Sequence, residues 1–194
     1  MLFYCVERHI FQGLQRIIFL RSLSYEVYDE VKGRPVFVLH GGGVGTSYEM
    51  GNLIDKLREN HEVVVVSRRG HVRSEIGHVA LTYELKTNDM KAVMDQVTQD
   101  PIAFLGFSDG AYTAYKVASM YPERVDRIVA IGAGTLKPGY FSGEMNVSDL
   151  EKIDPVFMKQ QMEIMPEPER YQAFCNDCMT FWNKMEAGKG FLRR

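Results

Sequence analysis

The stretch Ile102-Ala103-Phe104-Leu105-Gly106-Phe107-Ser108-Asp109-Gly110-Ala111 decides the fold. An apolar run, the mark of a strand covered on both faces, ends in Gly-x-Ser-x-Gly. A segment with helical spacing, Ala111–Met120, follows at once. A strand that turns directly into a helix holds the residue at the turn up at the mouth of the sheet. Gly106 and Gly110 flank that residue because a side chain at either place would collide with the neighbouring strand or helix. Ser108 is therefore the candidate nucleophile, and the backbone N–H of Asp109 points where an oxyanion would form. The helix begins at Ser108, so its dipole favours negative charge developing there.

Upstream, Val36-Phe37-Val38-Leu39 is a second continuous apolar run, followed directly by His40-Gly41-Gly42-Gly43-Val44-Gly45. Glycine at this density lets backbone N–H groups approach a ligand atom. No Gly-Lys-Ser/Thr follows and the glycines do not fall as Gly-x-Gly-x-x-Gly, so a phosphate-binding loop is excluded. With a serine turn downstream, the loop supplies a second oxyanion donor, Gly42 first, with Gly43 as the neighbouring alternative. One such donor stabilises a transition state by roughly 3 kcal/mol. His40 and His71 are each read as bracing their loops, with a role as base for Ser108 as the competing reading.

Between these landmarks the chain alternates. Thr46 or Ser47 caps a helix whose apolar face is Met50, Leu53, Ile54 and Leu57. Val63–Val66 is a buried strand. A helix from about Thr82 to Gln99 carries Leu85, Ala92, Val93, Gln96 and Val97 at core spacing, and Arg127–Ile131 is another strand. Four strand runs alternating with helices predict an α/β fold with a mainly parallel sheet and flanking helices. Ser24–Val31 reads as an outer strand, with Lys32-Gly33-Arg34-Pro35 as a turn.

The ends are less regular. In residues 1–23, Leu2, Phe3, Val6, Ile10, Leu14, Ile17 and Ile18 recur at near-helical spacing between arginines. This predicts a helical extension packed on the domain or a poorly ordered leader, with an interfacial amphipathic helix as the alternative. The apolar run Ile17–Leu20 is too short for a secretory signal. Residues 137–149 read as a loop, and Pro155–Ala187 as helical with a break at Pro166-Glu167-Pro168. The Met- and aromatic-rich face of that region, including Phe174 and Trp182, lines a pocket from above or simply packs on the sheet.

With 194 residues, 45% apolar and 25% charged, the chain is sized for one domain with a real core. A net charge of -2 gives no sign of a nucleic-acid partner, and no run is long enough to span a membrane. Three cysteines make no disulfide framework and point to a reducing, cytoplasmic setting. Cys175-Asn-Asp-Cys178 has no second pair or nearby histidine to complete a zinc site, so it reads as two thiols on one helical face. Neither metal nor cofactor is expected.

Three landmarks in order resemble the α/β-hydrolase superfamily: Val38-Leu39-His40-Gly41-Gly42-Gly43, Ser67-Arg68-Arg69-Gly70-His71-Val72-Arg73-Ser74, and Gly106-Phe107-Ser108-Asp109-Gly110. Tyr121-Pro122-Glu123-Arg124-Val125 is also similar to it. The resemblance implies a hydrolase core over 24–136, an N-terminal extension over 1–23 and a helical cap over 137–194. It implies a serine-nucleophile esterase type acting on a small-molecule acyl substrate. Where the family usually has Asp and Gly in the middle motif, this chain has Ser67 and Val72.

The family's triad runs Ser, acid, His, yet no histidine follows Ser108 and no Gly-Asp-rich acid loop appears. The expectation is a hydrolase truncated after its cap, with acid and histidine lying beyond Arg194. It would be weak or inactive alone, and able to self-associate through an exposed sheet edge. The alternative is a non-catalytic protein of the same fold that holds a ligand or partner without turnover.

Overall fold

A computed structural model of the chain describes residues 14–28 and 33–185. Among these, six strands form one sheet: β1 (Leu14–Leu20), β2 (Leu23–Tyr28), β3 (Val36–Leu39), β4 (Val63–Ser67), β5 (Ile102–Phe107) and β6 (Val125–Ile131). Their spatial order is β1-β2-β4-β3-β5-β6. The pairs β3·β4, β3·β5 and β5·β6 are parallel, while β1·β2 and β2·β4 are antiparallel. The strands with crossover helices are thus the parallel ones, as the alternation of runs predicts.

The pleat explains why those runs are apolar throughout. Phe37 and Leu39 of β3, with Val64 and Val66 of β4, point to one face, where they meet Met90, Val93, Met94, Ala114 and Val117. Val36, Val38, Val63 and Val65 point to the other, against Met50 and Ile54. The first group of helical residues belongs to α2 (Tyr83–Val97) and α3 (Asp109–Met120); the second belongs to α1 (Gly51–Leu57) and the 3-10 turn before it. Both faces are covered, so alternation would have left a polar side chain in a core.

Thr46 caps the 3-10 turn, its hydroxyl accepting from the Tyr48 N–H at 3.2 Å. Leu53, predicted on the buried face of α1, is 38% exposed; the short helix turns Met50 and Ile54 inward and leaves Leu53 outside. Thr82 caps α2. The expected core face of α2 is rotated: the buried set is Tyr83, Lys86, Thr87, Met90, Val93 and Met94.

Two further expectations are corrected. Leu14–Leu20 is a strand rather than part of a helix; it closes a tight hairpin onto β2 through Arg21 and Ser22, with Arg21 at φ 55°. Residues 1–13, where the rest of that helical pattern falls, lie outside the described residues. The 137–149 loop ends earlier than read, because α4 (Val147–Ile153) starts inside it. It is followed by α5 (Pro155–Ile164) and α6 (Tyr171–Lys184), separated at Pro166-Glu167-Pro168 as predicted. These three helices pack over the loops that follow the strands. Met158, Phe174, Trp182 and Met185 form a core of their own with Ile76, Tyr83 and Tyr112. Among the described residues, no helix is long and apolar enough to cross a membrane.

Candidate active site

The junction of β5 and α3 adopts the geometry that the glycines foretell. Ser108 sits at φ 49°, ψ -119° with its N–H donating to Ile131 O at 2.8 Å. A non-glycine residue held there stores about 1–3 kcal/mol of backbone strain, so the fold around it must over-determine the turn. It does so by close approach. A Cβ on Gly106 would lie 2.6 Å from Ala111 Cα, and one on Gly110 2.6 Å from His40 O and closer still to Leu39 O. Ser108 itself is half-buried, not sealed in the core.

The glycine loop comes to the same place. A Cβ built on Gly42 would stand 3.0 Å from Asp109 Cβ, 2.9 Å from Trp182 Cη2 and closer still to Trp182 Cζ2. Gly42 and Asp109, separated by 67 positions, are therefore neighbours, with Gly43 beside them under Met145. His40 is fully buried and braces the loop. Its Nδ1–H donates to Gly41 O at 2.7 Å and its Nε2 accepts the Arg68 N–H at 3.3 Å. His71 donates from Nδ1 to Arg69 O at 2.7 Å, and its buried Nε2 has no hydrogen-bond partner among the described residues. Neither ring hydrogen-bonds Ser108.

Burial, reinforced by the charge of Arg68, drives the His40 ring well below its ordinary pKa and that of His71 down to about 3. Both stay neutral in the folded protein near pH 7. The unfolded chain binds their protons below about pH 6.5 while the folded chain refuses them, so stability falls as pH drops below that point. Between pH 7 and 5 His71 alone removes about 2 kcal/mol, and His40 acts in the same direction. Denaturant midpoints measured across that range should fall, and should fall less steeply in His71→Phe.

The centre of the site is the Asp109 side chain, 4% exposed. Arg68 Nη1 pairs with its Oδ2, and Lys86 Nζ donates to Oδ1 at 2.9 Å and Oδ2 at 2.7 Å. Tyr83 Oη and Trp182 Nε1 donate to Oδ1 at 2.7 and 3.0 Å. Burial alone would raise this carboxyl's pKa, but Lys86 and Arg68 together hold it well below the usual carboxylate range. Lys86, whose own pKa burial lowers, also rests on the ring faces of Tyr83 and Phe181 at 4.9 and 4.6 Å. Two of these partners were not legible as site residues: Tyr83 and Lys86 lie on a helix whose spacing speaks only of core.

A cavity of about 10 Å³ remains between Gly42, Arg68, His71, Lys86, Asp109 and Trp182. Space of that size holds a single water at most. The helical layer closes it directly: Tyr171 Oη donates to Gly43 O at 3.0 Å, and the Trp182 ring lies on Gly42. Cys175 and Cys178 are free and buried on one face of α6, and no cluster of metal-ligating side chains exists among the described residues.

Val72 occupies a position at φ 54°, where the resembling family uses glycine. Its side chain is 6% exposed, so burial offsets part of the cost of that backbone.

Comparison with known proteins agrees with this fold. A hydrolase of 2-hydroxy-6-oxononadienedioate/2-hydroxy-6-oxononatrienedioate from Pseudomonas putida is 30% identical over 104 residues, 52% of this chain and 36% of its own. A putative esterase/lipase from Haemophilus influenzae is 25% identical over 117 residues, 59% of this chain and 40% of its own. The chain spans between 36% and 58% of the length of the first curated relatives it matches. Among solved structures, a serine hydrolase involved in carbazole degradation superposes with a TM-score of 0.69 at 17% identity, over 91% of this chain and 73% of that one. Epoxide hydrolase A from Mycobacterium thermoresistibile gives 0.56 at 19% identity, over 72% and 52%. The family model described as alpha/beta hydrolase fold matches residues 35–162, from β3 through α5, and the chain belongs to that family.

Proposed function

We propose that this chain is a serine hydrolase acting on a carboxylic ester or related acyl substrate, with Ser108 as nucleophile. The carrying observation is the strained, half-buried serine at the strand–helix junction, with Gly42 and Asp109 brought together beside it. Ser108 Oγ adds to the acyl carbon, and the N–H groups of Gly42 and Asp109 donate to the oxygen that becomes negative. Relatives named for a dienedioate and for an ester or lipid support an acyl substrate as a class.

Proton removal is the weak step in this chain. The nitrogens of His40 are committed to the loop, and His71 bonds its own turn. A serine without its base remains a neutral alcohol, at a cost on the order of 10⁶ in rate, of which an intact oxyanion hole retains roughly 10³ over water.

A fluorophosphonate separates the readings. Slow, stoichiometric labelling of Ser108, absent in Ser108→Ala, is expected by mass spectrometry. Binding of acyl ligands with no labelling at that residue would favour the non-catalytic alternative.

A further inference from the structure

We propose that Arg68 is a positioning residue that fixes and polarises the amide donors beside Ser108, which rests on reading Ser108 as a nucleophile. Arg68 stands just after β4 and is 3% exposed. Its Nη2 donates to His40 O at 2.5 Å and to Gly41 O at 2.7 Å, while Nη1 pairs with the Asp109 carboxylate. One planar guanidinium thus spans the glycine loop and the first residue of α3, the two segments that carry Gly42 and Asp109.

The contact with Gly41 O has a specific consequence. That carbonyl and the Gly42 N–H belong to one peptide unit, and in a trans peptide they point in opposite directions. Holding the oxygen therefore aims the hydrogen. His40 Nδ1 donates to the same oxygen at 2.7 Å, and Glu49 Oε1 accepts the preceding Gly41 N–H at 2.6 Å. The loop is fixed from both sides, and a cation on the carbonyl draws electron density from the amide, strengthening its N–H as a donor. Asp109 supplies the second half: its carboxylate is held by the same guanidinium, so the spacing between the two donors is set by a rigid fork. A lysine offers one nitrogen and cannot reach both walls.

The test uses an alkylboronic acid. The Ser108 oxygen adds to boron, its proton passes to bulk water, and a tetrahedral borate anion remains whose oxygen faces the two N–H groups. Trp182, the sole tryptophan, lies against Gly42 and reports binding by its fluorescence. Wild type should bind and Ser108→Ala should not. Arg68→Lys, which keeps a cation opposite Asp109, and Arg68→Met should weaken binding roughly tenfold or more. Added guanidinium ion should restore binding in Arg68→Ala while leaving wild type unchanged. Boronate bound by Arg68→Lys as tightly as by wild type would overturn the proposal and leave Arg68 a purely structural ion pair. Equal behaviour of wild type and Ser108→Ala would instead overturn the nucleophile reading, and this inference with it.

Discussion

Asp109→Ala is expected to destabilise the protein by about 3–5 kcal/mol, read as a lowered denaturant midpoint at an unchanged slope. The reason is what the substitution leaves behind rather than what it removes. Lys86 and Arg68 are both buried, and their shared counter-charge is this carboxylate. Without it two cations face each other in a dry site, and the Tyr83 hydroxyl and Trp182 N–H lose an acceptor. If orphaned charge is the cause, Asp109→Ala combined with Lys86→Met should recover a substantial part of the loss, since the second change withdraws one of the stranded cations. A double-mutant cycle in which the two costs simply add would refute this account.

Gly110→Ala should cost about 3 kcal/mol or more, large for the addition of one methyl group. The new carbon would meet the carbonyl oxygens of Leu39 and His40, which are backbone atoms of a central strand and its exit. A side chain in the way could rotate; these atoms cannot. Relief requires α3 to lift from the sheet, which would separate it from Phe37, Leu39 and Phe104, the residues that Ala114 and Val117 pack with. Gly51→Ala is the control: nothing lies within 4 Å of a Cβ there, so its change should be small or stabilising in a helix. A Gly110→Ala protein as stable as Gly51→Ala would show that the junction tolerates slack the close contacts deny.

Strands β3, β4 and β5 were open to reading because they are apolar on both faces, as doubly covered strands are. Ser108, Gly106 and Gly110 were equally legible, since their turn admits few residue types. β1 was not. Leu14, Ile17 and Ile18 fit helical spacing, and only the partner strand, whose Tyr25 and Glu26 pair with Ile18 and Ile17, decides otherwise. Lys86 was hidden for a different reason. A charged residue on a helix ordinarily faces solvent, and its inward direction becomes visible only once Asp109 is found across from it. The same holds for Arg68, which sequence placed in a polar loop and structure places on the backbone of another.

The indole of Trp182 has a kinetic consequence. It lies on Gly42, donates to Asp109, and leaves room for no more than one water. A group that is to occupy the space beside Gly42 must displace the indole, and that displacement exchanges a hydrogen bond to a buried anion for solvent. On the proposed acyl chemistry, filling that space is a barrier separate from bond cleavage and in series with it.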